Sequence, residues 1–472
     1  MCGIIGVSNH TEAAKIAFLG LYALQHRGEE AAGIASYDTE NIHVVKNLGL
    51  VADAFGEPSL QGLKGTVAIG HCRYSTTGSS NIKNIQPFMA MHKGKPIAVA
   101  HNGNLTNTEE LYKKLEEEGS IFQTTMDSEI FVHLLVRTRN GTMKDWVSKA
   151  LEQVRGAYSV VFLIGDTIVG VRDPSGFRPL CLGKLEDGYI LASESCALDL
   201  LKAQFLRELE PGEMIFIKGN QLESHRLPSM GTTRIAQCIF ENVYFARPDS
   251  NIFNDNVYEV RKRLGSQLAK EHPVKEADFV MAIPDSGNYA ALGYATELGL
   301  PLEVGMIRNH YIGRTFIQPS QFLRDFRVRV KLNPIRNVLK GKRVVVVEDS
   351  IVRGTTSRSR IEVLRNAGAK EIHMRISCPP IKYPCFYGID FPSQKELIAA
   401  NKSIAEIAKF IQVDSLEYLS LEGMLGVMKQ SGNFCFACFS GDYPVKIPTN
   451  QSKYLLEETA LKTAGRSEGL GT

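Results

Sequence analysis

The run "KRVVVVEDSIVRGTTSRSR" (342–360) constrains the fold more than any other stretch of the 472-residue chain. Four consecutive valines suit a strand buried on both faces, the environment of a parallel sheet covered by helices. That strand delivers Glu348 and Asp349 to its carboxyl end, and a loop with Ser350, Gly354, Thr355 and Thr356 opens a helix. Ligands of open α/β sheets bind at that end of the strands. Backbone N–H groups, two hydroxyls and a helix N-terminus suit a phosphate monoester, with Gly354 permitting close approach. The paired acids are suited to sugar hydroxyls, Mg²⁺ or both, since Mg²⁺ takes a few hard oxygens and completes its shell with water.

The same logic extends along the second half. "ADFVMAIPDSG" (277–287) is another compact apolar run ending in Asp285 and Ser286, and helical stretches are expected over 246–271 and 356–370, the latter stopped by Gly368. Between the two strands, 308–334 is dense in Arg and Lys and lacks a long apolar pattern. It reads as a cationic cover for an anionic substrate. The first half is different. Short runs such as "IAVAHNGNL" and "AYSVVFLIGDTIVGVRD", with a helical stretch at 11–26, predict an α+β domain rich in antiparallel pairing. The join falls near "HRLPSMGTTRIAQ" (225–237), which divides the chain into domains 2–230 and 231–455 and leaves 456–472 as an expected flexible tail.

Composition excludes several classes. Apolar residues at 44% and charged residues at 22% are ordinary globular values. A net charge of +3 and the lack of a basic arm or helix-turn-helix pattern give no reason to expect nucleic acid. No apolar run reaches the roughly 20 residues a membrane span needs, and no signal peptide is visible, so a cytoplasmic protein is expected. Nine cysteines in such a chain read as thiols, nucleophiles or metal ligands.

"MCGIIGV" opens the chain with a cysteine behind the start methionine. Removal of Met1 would leave Cys2 with a free α-amine, of ordinary pKa near 8, beside its own thiol: a nucleophile that carries its base. Acyl transfer also needs an oxyanion hole, for which Asn102 and Gly103 in "AHNGNLTN" are candidates. Arg73 in "HCRYSTTG" could bind a carboxylate bidentately and Asp127 in "TTMDSE" an ammonium, the pair an amino-acid substrate requires.

With "LQHRGEEAAGI", these motifs resemble in order and spacing the class II glutamine amidotransferases. The resemblance implies an N-terminal nucleophile (Ntn) glutaminase domain of stacked antiparallel sheets, with Cys2 as nucleophile, Asn102 and Gly103 as oxyanion hole, and Arg73 and Asp127 as glutamine ligands. The 342–360 run resembles the phosphoribosyl pyrophosphate (PRPP) signature of type I phosphoribosyltransferases, an α/β fold with a parallel sheet. It implies that Asp285, Arg308, Ser350, Arg353, Gly354, Thr355 and Thr356 bind PRPP, and that Ser286, Glu348 and Asp349 hold Mg²⁺. Glu348 stands where close relatives often have aspartate.

The fused order, with "CIFENVYFARPDS" and "PCFYGIDFPS", is similar to a two-domain family that hydrolyses glutamine and passes the ammonia to PRPP. The products are 5-phosphoribosylamine, pyrophosphate and glutamate, in the first step of de novo purine synthesis. The family implies Mg²⁺, feedback inhibition by purine nucleotides, and a homotetramer or homodimer. Ammonia freed in bulk water would be protonated, which gives fusion a chemical reason. Cys435 and Cys438 form a CxxC pair, with Cys238 and Cys385 distant in sequence; spacing alone allows zinc, a [4Fe–4S] cluster or a redox pair. One branch of the family holds a [4Fe–4S] cluster on four cysteines at these places. Its members often carry a propeptide before the nucleophile, whereas here only Met1 precedes Cys2, so methionine removal alone is expected to suffice. Cys72, Cys181, Cys196 and Cys378 are expected in cores. Other glutaminases would need a sugar-isomerase or ATP-pyrophosphatase half, and a PRPP-sensing regulator would need a DNA-binding module; neither pattern is present.

Overall fold

The structure is a computed structural model that describes residues 1–74, 81–228, 233–309, 332–391 and 393–447. Its first half stacks two antiparallel sheets. β1 (Gly3–Val7) lies in a seven-stranded sheet beside β2 (Val67–Arg73), paired so that Ile5 faces Gly70. β3 (Lys95–Leu105) and β4 (Gly156–Ile164) are central in a six-stranded sheet. Alternation along these strands sends one set of side chains inward from each sheet. Ile4, Val67, Ile69, Ala98, Ala100, Val161 and Leu163 form the shared core between them.

Each sheet's outer face is covered by helices. α1 (Ala13–Ala23) packs its buried Ala14, Ala17 and Leu21 on the seven-stranded sheet. α2 (Ser128–Arg137) covers the other sheet with Ile130, Phe131, Leu134 and Leu135. The result is a four-layer sandwich that leaves the start of β1, the end of β2 and the end of β3 along one edge.

The second half has one core around a parallel sheet of β5 (Phe279–Ala282), β6 (Arg343–Glu348), β7 (Glu371–Ile376) and β8 (Ser415–Tyr418). The four valines of β6 are fully buried, as their unbroken run requires. Of the helix expected over 246–271, only Val257–Glu271 forms (α3). Residues 251–256 make a small hairpin instead, with Phe253 and Asn254 both at positive φ, and the Asn256 side chain then caps α3 by accepting the Glu259 N–H. Consecutive positive φ values are the signature of a tight hairpin turn, and the Asn-rich "NIFNDN" favours it over helix. α4 (Asn288–Leu298) packs against α3, and α5 (Thr355–Asn366) follows β6 and ends just before Gly368, as expected.

The cationic stretch 308–334 lies mostly outside the described residues; its ends, Met306–Arg308 and Leu332–Pro334, pair antiparallel. The tail 456–472 and residues 229–232 of the expected join are also outside them.

Candidate active sites

Three sites emerge, the first at the edge of the sandwich. Cys2 is buried, and its backbone N–H donates to Asn102 Oδ1 at 3.2 Å. Its thiol donates to Tyr74 O at 3.4 Å, and the Tyr74 N–H points back at Cys2 Sγ at 3.5 Å. Burial pushes the thiol pKa up, while the chain's amine, the Tyr74 hydrogen bond and Arg73 pull it down. Asn102 Nδ2, fully buried, has no hydrogen-bond partner among the described residues. A buried amide donor left free costs stability unless something uses it. Gly103 is at φ 156°, and a β-carbon there would run into Ala157 O, so this point of β3 beside Asn102 admits only glycine.

Cys2, Arg73, Tyr74, Gln86, His101, Gly103, Met126 and Asp127 line one cavity of about 20 Å³, room for about one water. The sequence-predicted Cys2, Arg73, Gly103 and Asp127 are therefore gathered at one place, with Asn102 adjoining. Arg73 donates to Asn84 O and reaches Met126 Sδ at 3.7 Å. Asp127 accepts from Leu105 N at 3.0 Å and Ser128 Oγ at 3.3 Å, with His101 Nδ1 at 3.6 Å. Burial alone would raise its pKa, but His101 and these hydrogen bonds bring it below the ordinary value.

The second site lies at the carboxyl ends of β5 and β6. Asp349 is buried, accepts from the Ser350 hydroxyl and is hydrogen-bonded by Ser286. Burial raises its pKa, and those hydroxyls and Arg261 oppose the rise. Glu348 is turned toward α5, where it pairs with Arg360 and accepts from Ser357 Oγ at 3.2 Å. Burial and Asp349 still push Glu348 up to about 7 against the pull of Arg360. Gly354, at φ 78°, begins α5, placing Thr355 and Thr356 in its first turn. Arg308 pairs with Asp285, both half exposed, while Arg353 reaches Glu396 at 3.1 Å on the surface. Among the described residues no group of three His, Cys, Asp or Glu is gathered tightly enough to hold a metal ion. Mg²⁺ in phosphate sites needs only one or two carboxylates, with substrate phosphates and water supplying the rest. Ser286 and Asp349 fit that mode directly; Glu348, with both oxygens engaged by Arg360 and Ser357, would have to turn from α5 to join them.

The third site joins distant cysteines. Cys238 and Cys435 are register partners in a short parallel ladder, and Cys385 Sγ accepts from Tyr387 N at 3.4 Å. Cys385, Cys238 and Cys435 all act electrostatically on Cys438. Burial pushes Cys238 up to about 11, opposed first by Arg178. None of the four is in a disulfide. Cys238, Cys385, Cys435 and Cys438, with the buried Arg178 cation acting on Cys238 and Cys385, suit an anionic metal–thiolate group. Cys72, Cys181, Cys196 and Cys378 are buried in the cores, as expected.

Several participants carry no local signal. Tyr74 and His101 sit inside the quoted motifs without a pattern marking them, and Arg360 is one of three arginines in its helix. Arg27, Glu194 and Glu241 are fully buried charges whose partners lie up to 214 residues away.

Comparison with known proteins finds similarity in both halves of the chain. A family model described as a glutamine amidotransferase domain matches residues 71–200, and one described as a phosphoribosyl transferase domain matches 252–384. An amidophosphoribosyltransferase of Methanocaldococcus jannaschii is 49% identical over 95% of this chain and 98% of its own length. A chloroplastic one of Glycine max is 50% identical over 96% of this chain and 80% of that protein. Among solved structures, the glutamine PRPP amidotransferase from B. subtilis complexed with ADP and GMP superposes with a TM-score of 0.90. It is 46% identical over 96% of this chain and 99% of that one.

Proposed function

The chain belongs to the amidophosphoribosyltransferase family, and on that premise we propose how its three sites divide the work. Membership makes it a pentosyltransferase with glutamine amidotransferase activity at the first step of purine biosynthesis: glutamine and PRPP give 5-phosphoribosylamine, pyrophosphate and glutamate.

In the glutaminase half, Met1 removal frees the Cys2 amine, which stays held at Asn102 Oδ1. The amine takes the thiol proton, directly or through one water, and Cys2 Sγ attacks the amide carbon of glutamine. The oxyanion that forms is stabilised by Asn102 Nδ2 and the Gly103 N–H. The C–N bond breaks, ammonia leaves with the transferred proton, and water hydrolyses the thioester to glutamate. Arg73 binds the substrate carboxylate and Asp127 its ammonium. The observation that carries this reading is the split engagement of Asn102: its oxygen takes the Cys2 N–H, while its buried Nδ2 has no partner among the described residues.

In the transferase half, Ser350, Arg353, Gly354, Thr355 and Thr356 cradle the 5-phosphate at the start of α5, and Asp285 and Arg308 face the pyrophosphate. Ser286, Glu348 and Asp349 would hold Mg²⁺, which neutralises charge on the departing pyrophosphate. Ammonia attacks C1 as the C–O bond to pyrophosphate breaks. Cys238, Cys385, Cys435 and Cys438 would hold a structural [4Fe–4S] cluster; the transfer moves no electrons, so the cluster has no redox part in it. Purine nucleotides act as feedback inhibitors of a cytoplasmic homo-oligomer, a dimer or tetramer. The B. subtilis relative's complex with ADP and GMP supports the nucleotide reading. Among the described residues no helix is long and apolar enough to cross a membrane.

The test is pyrophosphate release from PRPP by wild type and Cys2→Ala, with glutamine or with high ammonium at alkaline pH. The variant should lose only the glutamine-driven reaction. Retention of glutamine-driven turnover would remove Cys2 from the nucleophile's role.

A further inference from the structure

A line of buried charges runs from the second half of the chain to the backbone of Cys2. Glu241 lies in a single helical turn, Glu241–Phe245, just after the strand that carries Cys238. Its carboxylate takes both terminal nitrogens of Arg27, Nη2 at 2.8 Å and Nη1 at 3.1 Å. The remaining arm of that guanidinium, Nε, donates to Cys2 O at 2.9 Å. Arg27 Nη1 also pairs with Glu194, which accepts from His26 at 2.8 Å and Ser250 Oγ at 2.7 Å. On the far side of Glu241, Arg178 lies at 3.5 Å and is tied to Tyr387 O at 3.2 Å. Arg27, Arg178, Glu194 and Glu241 are each no more than 1% exposed.

Two features separate this from ordinary packing. Two arginines face two glutamates, all four fully buried, so the set is neutral only while all four remain, and removing one member strands a charge. The guanidinium is also planar and rigid: a carboxylate gripping Nη1 and Nη2 fixes the direction in which Nε–H points. Arg27 belongs to the glutaminase half and Glu241 to the transferase half, so that direction is set across the join.

We propose that Glu241 is a positioning residue for the glutaminase nucleophile: it locks Arg27, Arg27 holds the Cys2 carbonyl, and the Cys2 thiol is thereby aimed at the oxyanion hole. The glutaminase site is incomplete without the second half. This rests on Cys2 being the nucleophile. Neither Glu241 nor Arg27 lines the cavity beside Cys2, so the effect falls on the chemical step and not on substrate affinity.

The experiment is steady-state kinetics of the full-length Glu241→Gln protein, with glutamine and separately with saturating ammonium as nitrogen source. The expected result is a glutamine-driven kcat lower by about 10- to 100-fold, the range for misplacing a reacting group. KM for glutamine and the ammonia-driven rate should both stay within about twofold. A kcat within twofold of wild type, equal loss of both reactions, or a KM that rises as kcat falls would each overturn the proposal. If Glu241→Gln does not fold, Arg27→Lys decides. It keeps the charge but cannot hold Glu241 with two nitrogens and Cys2 O with a third, so it should show the same split, and a wild-type kcat would refute the inference. Cys2→Ala, assayed alongside, keeps the readings apart: if it retains glutamine turnover the nucleophile is wrong, whereas if only it is inactive, Glu241 alone falls.

Discussion

Gly388 rests directly on Gly103, so that a β-carbon placed on Gly388 would sit 3.0 Å from both the carbonyl carbon and oxygen of Gly103. The contact joins the loop after Cys385 to the oxyanion-hole end of β3, and Asn104 Nδ2 donates to Phe386 O at 3.0 Å beside it. Gly388 is at φ 105°, which disfavours any side chain. Gly388→Ala should therefore displace β3 at Gly103, lowering glutamine-driven pyrophosphate release at least tenfold and the ammonia-driven reaction much less. Equal rates from both nitrogen sources would show that the contact does not shape the oxyanion hole.

Asn102→Ala removes a buried donor that has no partner among the described residues, in the side chain that holds the Cys2 N–H. Loss of a single oxyanion donor costs about 10²- to 10³-fold in kcat. That loss is expected here, with KM for glutamine little changed, and stopped-flow measurement of thioester formation would locate it in the acylation step.

Arg360 is the cation that answers Glu348 on α5. In Arg360→Gln the buried carboxylate loses that partner, so its pKa should rise further and the protein lose about 1–3 kcal/mol, the range for a buried group deprived of its partner. Thermal denaturation of wild type and variant measures the loss; an unchanged Tm would mean that the ion pair contributes nothing net.

Asp173 gives a pH signature. Burial raises its carboxyl from 3.8 to about 6, despite N–H donors from Tyr158 and Phe177. A raised folded pKa means stability that is full below the unfolded value and is lost as pH climbs through the folded one. The loss between pH 4 and 7 should approach about 3 kcal/mol, from roughly two pKa units at about 1.4 kcal/mol each. Asp173→Asn cannot ionise. Its Tm relative to wild type should rise across that window, and a constant difference would refute the assignment.

The thiol site predicts a composition. Purified without oxygen, the protein should carry iron and inorganic sulfide in equal amounts, and Cys435→Ser should lose both and unfold at lower temperature. Zinc in place of iron would reassign the site to a single ion.

The sequence determined by itself what depends on neighbours along the chain. Four valines before Glu348 and Asp349 dictated a buried parallel strand with its ligand loop at the carboxyl end, and Gly354 marked the start of α5. Short apolar runs predicted an α+β half rich in antiparallel pairing, the stacking of its sheets came from the family resemblance, and the motifs around Cys2, Arg73, Asn102 and Asp127 named a candidate constellation before any geometry was known. Local pattern failed at 246–256, where apolar spacing resembled a helix and an Asn-rich hairpin formed instead. Tertiary structure alone decided which groups meet across long separations: Glu241 with Arg27, Gly388 with Gly103, and Cys238 with Cys435. The physical reason is that strand and helix preferences act over a few residues. A buried charge or thiol takes its partner from whatever backbone the completed fold brings against it, and nothing adjacent in sequence records that choice.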